Sequence, residues 1–402
     1  MIEPSIIKNP PYPQNYATEF LLLDKGEGIY LFDADGNRYR DFAAGIAVNA
    51  LGYGREDLAH IASEQMKKLI HVSNLYANKP AVELAKKMVA SGDFAAVHFG
   101  NSGSEANEAA LKYARIYGKR KKGPQCHHYL SFTGSFHGRT MGALAATATE
   151  KYREPYEPMA PGFHFSEYNN IKQLEETLTD EFCAVIVEPL QGEGGCTPMD
   201  KEFAAALNKI CAEKDILIIA DEVQAGMARC GEIYSSALSG LNADIVTLSK
   251  PLAGGLPLSA TLIPAKVNDL VHLGDHGGTF GGGPVTTAVA NFIWDTLTAK
   301  DFLADVKKKG DLLAAELEGI KADLGLKAHV VGAGLLRGLA LEEEGQSAKI
   351  GEIIGKAQSK GMLILRAGSN VIRLAPPLII SEKEIKEGMA LLKEAIKDVL
   401  TA

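Results

Sequence analysis

Three short runs in the middle of the chain, Ala184 to Val187, Ile216 to Ala220 and Ile245 to Leu248, are apolar but for Thr247. They lack the polar alternation of a strand with one face in water, which is the pattern of strands covered on both faces. Between the first two lies Met199 to Lys214, where Phe203, Ala206, Leu207 and Ile210 recur at helical spacing. Strand, helix, strand is the unit of a parallel sheet, so an α/β fold is expected. Each run leads to a residue with chemistry to offer: Glu188 after the first, Asp221 after the second, and Lys250 two residues past the third. Ligands of open parallel sheets gather at the carboxyl ends of strands, which puts these three groups in one expected site. Asp221 ends five apolar residues and needs a cationic partner or donors there. Lys250 should lie at the core rim, where desolvation favours the neutral, nucleophilic amine.

A second feature precedes these runs. Asn101-Ser102-Gly103-Ser104-Glu105-Ala106-Asn107-Glu108 follows the apolar stretch Ala95 to Phe99 and opens a helical pattern that runs through Tyr117 to Gly118, read as its stop. Ser102 with Glu105 has the spacing of a capping box. A glycine at a helix start lets backbone N–H groups approach an anion, and the helix dipole favours negative charge there. The last hundred residues differ. They hold a long amphipathic pattern from Ser381 to Leu400, with Ile385, Met389, Leu392, Ile396 and Val399 on one face, and two strand candidates, Leu335 to Leu341 and Val371 to Leu374. A smaller α+β domain is expected over 291–402, after a large domain over 51–290 and an N-terminal arm over 1–50 that packs with the small domain.

Composition narrows the partners. Fifty acidic residues outnumber 42 basic ones, giving a net charge of -8, so there is no electrostatic reason to bind nucleic acid or an anionic membrane. No run of roughly 20 apolar residues is present, and the proline-rich start has no basic patch followed by an apolar stretch. The five cysteines show no paired spacing for zinc. Reduced thiols in a cytoplasmic protein without a metal are expected.

An anion cradle, a strand-end carboxylate and, about thirty residues later, a lysine at the next strand end match the anion site, pyridinium partner and Schiff-base lysine that pyridoxal 5'-phosphate requires. Across nearly its whole length, from Gly28-Ile29-Tyr30-Leu31-Phe32-Asp33 to Arg373-Leu374-Ala375-Pro376-Pro377, the chain resembles the class III aminotransferases of pyridoxal-phosphate fold-type I. The resemblance rests on Asn101 to Glu108, Phe136-His137-Gly138-Arg139-Thr140, Glu188-Pro189-Leu190-Gln191-Gly192-Glu193, Asp221-Glu222-Val223-Gln224 and Gly278-Thr279-Phe280-Gly281-Gly282. It implies a large domain with a mostly parallel central sheet and a smaller α+β domain.

It also implies roles. Gly103 and Ser104 hold the cofactor phosphate, Phe136 and Val223 flank its ring, Asp221 holds the ring nitrogen, Gln224 lies near the ring oxygen and Lys250 is the Schiff-base lysine. Thr279 reaches the phosphate of a neighbouring subunit, so a homodimer with shared sites is expected. Arg139 is similar to the arginine for the donor's α-carboxylate, Arg373 to that for 2-oxoglutarate, and Glu193 to the glutamate that masks it. Family donors include 4-aminobutyrate, ornithine, succinylornithine and acetylornithine. Asn49-Ala50-Leu51-Gly52 and His71-Val72-Ser73-Asn74-Leu75-Tyr76 look most like the acetylornithine branch. Four positions depart from the commonest family pattern: Pro251 after the lysine, Gly283 for an asparagine, and Ala228 and Cys230 for glycine and threonine. Pro251 predicts an extended backbone at Lys250.

Overall fold

The computed structural model describes residues 2–13, 15–16 and 19–400. The outer ends of the expected arm and C-terminal domain, residues 1, 401 and 402, lie outside the described residues. A seven-stranded sheet carries the site. Its strands in chain order are β1 (Ala96–Gly100), β2 (His128–Phe132), β3 (Phe163–Ser166), β4 (Phe182–Val187), β5 (Leu217–Asp221), β6 (Ile245–Leu248) and β7 (Ser259–Ile263), and their spatial order is β1-β7-β6-β5-β4-β2-β3. From β6 through β5, β4 and β2 to β3 every pairing is parallel. Strand β7 runs antiparallel to both its neighbours, β6 and β1. Six strands therefore point the same way, and the carboxyl ends of β1, β4, β5 and β6 share one edge.

The three runs lack alternation because both faces of the sheet are covered. Val185 and Val187 of β4 and Ile218 and Ala220 of β5 join one core with Phe203 and Leu207. Ala184, Ile186, Leu217 and Ile219 point the other way, against Ala109, Ala110, Tyr113 and Ala114 of helix α1 (Gly103–Lys122). Phe203 and Leu207 belong to helix α2 (Lys201–Lys214), which starts two residues later than its pattern predicts; Asp200 is its N-cap.

Helix α1 does not stop at Gly118 as read from the sequence. It continues through the basic turn Lys119–Lys122, which complements the carboxyl end of the helix dipole, and is capped by Gly123 at φ 110°. Gly118 is there for space: a Cβ would lie 2.5 Å from Cys183 Cβ and 2.6 Å from the Cys126 carbonyl oxygen.

Beyond the site-bearing sheet, β8 (Ala328–Ala333), β9 (Leu336–Leu341), β10 (Leu365–Ala367) and β11 (Val371–Leu374) form an antiparallel sheet in the order β8-β9-β11-β10. The final helix, α3 (Glu382–Leu400), begins with the expected capping box: Ser381 N–H donates to Glu384 Oε2 at 2.8 Å and Glu384 N–H to Ser381 Oγ at 3.2 Å. Strand Arg38–Asp41, early in the chain, pairs in parallel with Met362–Leu363. Among the described residues no helix is long and apolar enough to cross a membrane.

Gly118→Ala sets roughly 1 kcal/mol of helix propensity against overpacking of ~1–3 kcal/mol. Because the clashing atoms are backbone and Cβ, which cannot rotate away, a net loss of about 1 kcal/mol is expected in a denaturant titration. Gly319→Ala, at a helical position with nothing within 4 Å, should stabilise instead; equal effects of the two changes would refute this account.

Candidate active site

The shared strand edge opens into a cleft of about 200 Å³, below the ~300 Å³ at which sites for drug-sized ligands begin. Gly103, Ser104, Phe136, Glu193, Asp221, Val223, Gln224 and Lys250 all line it, so eight of the expected site residues meet there. Arg139, Arg373 and Thr279 do not line it.

At one end of the cleft, Ser102 Oγ caps α1 by accepting the Glu105 N–H at 3.3 Å. The capping box is only half formed, because Glu105 Oε2 turns to Asn101, accepting its backbone N–H at 2.5 Å and its side-chain amide at 2.8 Å. Gly103 faces Val223, and a Cβ there would sit 2.6 Å from Val223 Cγ1. Glycine at this position lets Val223 pack against the start of α1, and Gly103 and Ser104, in the first turn of this twenty-residue helix, line the cleft.

At the other end, buried Asp221 is held by three donors. Its Oδ2 accepts from Asn107 Nδ2 and from His137 Nδ1, both at 2.8 Å, and its Oδ1 from the Val223 N–H at 3.1 Å. Thr247 on β6 donates to Asn107 Oδ1 at 2.8 Å, which orients the amide so that its NH2 faces the carboxylate. An ionised carboxylate only accepts, so His137 carries its proton on Nδ1. Its Nε2 is buried and has no hydrogen-bond partner among the described residues. Sequence reading gave Asn107, His137 and Thr247 no role. A signal existed for Asn107, the one amide on an alanine-rich buried face of α1.

Glu188, expected at this edge, also lines the cleft. Its Oε1 accepts the Phe136 N–H at 2.9 Å and its Oε2 the Gly192 N–H at 3.2 Å. Burial, with the Asp221 charge adding to it, pushes its carboxyl above the ordinary range.

Lys250 corrects one expectation. The strand ends at Leu248, the break falls on Ser249 (φ -160°, ψ -104°), and Lys250 opens a 3₁₀ turn through Ala253 rather than remaining extended. Pro251 does disfavour a helical predecessor. Tertiary structure outweighs it: the Ser249 carbonyl accepts the Leu252 N–H at 2.6 Å, and Pro251, Leu252 and Ala253 are buried against helix Pro284–Leu297. Burial pushes the Lys250 ammonium down to about 8; the Glu193 carboxylate opposes this and Arg373 adds to it.

Arg373, on β11, is buried behind Glu193. Its Nη1 donates to Glu193 Oε1 at 2.5 Å, to the Gly192 carbonyl at 3.2 Å and to Gln224 Oε1 at 3.4 Å. Burial alone would raise the Glu193 carboxyl, but Arg373 outweighs it and holds the group below its usual value. Arg139 is exposed outside the cleft, its guanidinium 3.7 Å from the Tyr152 ring centre. Thr279 is exposed in a segment beside β1 and the start of α1. Ala228, where the family pattern has glycine, sits at φ 68°, a conformation that costs an L-residue roughly 1–2 kcal/mol.

The whole arrangement provides an anion cradle, a fixed carboxylate able to accept from a cationic ring, flanking apolar side chains, and an amine that is easily neutral. The family described as Aminotransferase class-III matches residues 12–396. A probable mitochondrial acetylornithine aminotransferase of Dictyostelium discoideum is 42% identical over 381 residues, spanning 93% of this chain and 83% of that protein. A succinylornithine transaminase of Yersinia pseudotuberculosis is 41% identical over 390 residues, spanning 96% and 94%. The solved N-acetylornithine aminotransferase of Stenotrophomonas maltophilia K279a superposes with a TM-score of 0.84 at 32% identity, covering 97% of this chain and 98% of that one.

The Lys250 shift has a thermodynamic sign. Below pH 8 the lysine is protonated in both folded and unfolded chains, and its burial costs stability in full. Between pH 8 and the unfolded value of 10.5 only the unfolded chain holds the proton, so the cost fades as pH rises. Ligand-free Lys250→Met protein should therefore be more stable than the parent at pH 7, by up to about 3 kcal/mol, with the gap closing toward pH 10. A gap that does not change with pH in denaturant titrations would count against a desolvated Lys250.

Proposed function

The chain belongs to the class-III aminotransferases, enzymes dependent on pyridoxal phosphate, and we propose that it moves the terminal amino group of N-acetylornithine to 2-oxoglutarate, giving N-acetylglutamate 5-semialdehyde and glutamate. The observation that carries this reading is the Arg373–Glu193 ion pair at 2.5 Å, set against the cleft that holds Lys250.

The residues fit the cofactor. Gly103 and Ser104 bring the start of α1 to the cleft wall, where a phosphate can meet it, and Asp221, oriented by Asn107 and His137, can accept from a ring N–H. Phe136 and Val223 supply apolar walls, and Gln224 serves the ring oxygen. Once bound, pyridoxal phosphate supplies an electron-accepting ring and an aldehyde that carries the amino group between the two substrates. Lys250 Nζ holds the cofactor and, when released, takes the proton from the donor carbon beside the reacting nitrogen. Asp221 keeps the ring nitrogen protonated.

The two substrates differ in where the carboxylate lies. Acetylornithine reacts far from its α-carboxylate, which Arg139 receives outside the cleft. 2-Oxoglutarate reacts beside its own, which needs Arg373. Glu193 occupies Arg373 during the first half-reaction and releases it for the second.

Thr279 stands away from the cleft of its own chain, and we assign it to the cleft of a second copy in a homodimer. The neighbouring surface supports that assignment. Asn74 Nδ2 donates to the Gly278 carbonyl at 2.8 Å, and Leu75, Tyr76 and Phe280 there are 86%, 72% and 67% exposed, an apolar patch of the kind that marks interfaces. Five free, buried cysteines support a reducing compartment such as the cytoplasm. The pairing of Arg38–Asp41 with Met362–Leu363 supports an arm, residues 1–50, that belongs with a small domain over 291–402, the large domain spanning 51–290.

A donor panel with 2-oxoglutarate should rank acetylornithine above 4-aminobutyrate and ornithine by kcat/KM, and the reverse order would falsify the donor assignment. In single-turnover measurements Glu193→Gln, which leaves Arg373 exposed to the donor, should lower kcat/KM for acetylornithine about tenfold and leave that for 2-oxoglutarate within about threefold. Equal losses in both half-reactions would remove the ion pair from its proposed role.

A further inference from the structure

Thr279 is exposed in a stretch without helix or strand, yet the chain is tied down on both sides of it. Before it, Arg120 of α1 forks onto Asp275, its Nη1 and Nη2 donating to the two carboxylate oxygens at 2.5 and 2.8 Å. After it, Asn78 Nδ2 donates to the Gly282 carbonyl at 2.9 Å. Between these anchors His276 lies flat on His98 of β1, ring centres 4.6 Å apart and planes 25° apart, and edge-on to Tyr113 of α1 at 5.8 Å.

This seat is built for an uncharged ring. Lys112 Nζ, also on α1, lies 2.8 Å from His276 Nδ1. An ammonium only donates, so that nitrogen accepts and the proton of His276 sits on Nε2. Tyr113 Oη is 3.1 Å from His98 Nδ1. The acids around the pair are engaged elsewhere. Glu105 holds Asn101, Glu108 Oε1 accepts the Gly142 and Ala143 N–H groups at 2.8 and 3.1 Å, and Asp275 is held by Arg120. Burial, with the Lys112 charge adding to it, lowers His276, and Glu108 opposes this only in part. Burial likewise pushes His98 down to about 4, with His276 and Lys112 adding to the effect.

Resting on the assignment of Thr279 to the cleft of a second copy, we infer that neutral His276, stacked on His98, is the positioning residue that aims Thr279 at that copy's cofactor phosphate, and that acid withdraws it. A proton on His276 would face the Lys112 ammonium with no free carboxylate beside it. Helix α1 then serves two sites: its start lines its own cleft, and its flank holds the residue sent to the other.

The contribution of Thr279 is the ratio of cofactor dissociation constants of Thr279→Ala and parent, read from cofactor absorbance as the holoenzyme is diluted. The ratio cancels the cofactor's own titrations. Near pH 8 it should be about tenfold, the worth of one hydrogen bond to a charged group. Near pH 5 it should fall to about twofold, as His276 takes up its proton. In a His276→Asn background, whose amide oxygen can accept from Lys112 but cannot titrate, the ratio should be the same at both pH values. In a His276→Ala background it should stay at about twofold throughout. A ratio that ignores pH in the parent, falls equally in the Asn background, or survives His276→Ala overturns the proposal.

The seat has its own readout. Below 6.5 the unfolded chain binds a proton that folded His276 resists, so ligand-free parent should lose stability relative to His276→Asn as pH falls from there, in denaturant titrations. If that loss appears while Thr279→Ala leaves cofactor binding unchanged at every pH, the second-copy assignment has failed and not the seat. If the loss is absent, the seat itself has failed.

Discussion

A carboxylate that ends a fully buried strand must be satisfied without water, and the site is built around how Asp221 meets that demand. Leaving an ionised group buried and unpaired is far costlier than a few hydrogen bonds can offset elsewhere. Asn107 from α1 and His137 from the loop after β2 converge on one of its oxygens, and Thr247 from β6 fixes Asn107. The end of β5, α1 and the loop after β2 thereby meet at a single atom, and β6 is tied to it through Asn107. Asn107 is also four residues along α1 from Gly103, roughly 6 Å of helix rise, so the bond that satisfies Asp221 also sets how far the open N–H groups stand from it.

Glu188 does for the sides of the cleft what Asn107 does for its ends. Its two oxygens hold the backbone of Phe136 on one side and of Gly192 on the other, so the flanking ring and the loop bearing Glu193 are set by one carboxylate. Asp221, Glu188 and Glu193 all face Lys250 and favour its charged form. The lysine is nonetheless driven toward neutrality, because desolvation and the Arg373 charge outweigh the three acids together.

Strands β4, β5 and β6 were legible because being covered on both faces leaves an unmistakable uniform run, and their ends disclosed Glu188, Asp221 and Lys250. Gly118 was misread as a helix stop because a glycine required for close packing looks the same in sequence as one required for a left-handed turn; only Cys126 and Cys183, from other segments, tell them apart. The extended backbone expected at Lys250 failed for a related reason. Pro251 expresses a local preference, while the burial of the residues after it is decided by a helix thirty positions downstream. The roles of His137 and Thr247 depend on distances between segments, which no local pattern encodes. Arg373 and Glu193 were named only through family resemblance, since nothing in their local sequence shows that residues 180 apart touch.

The loop around Glu193 is anchored at both ends: the Gly192 N–H is bound to Glu188, and the Glu193 carbonyl to Gly368. The side chain is about one-third exposed. Only its χ angles are free to change when it leaves Arg373. In the proposed switch, exchanging one partner for another at Arg373 would then be a side-chain rotation rather than a loop opening. In the proposed role such a gate would alternate between two substrates without backbone motion. Its cost would be thermodynamic: in the proposed role Glu193 is a tethered competitor that a carboxylate arriving at Arg373 must displace, at a local concentration that dilution cannot alter.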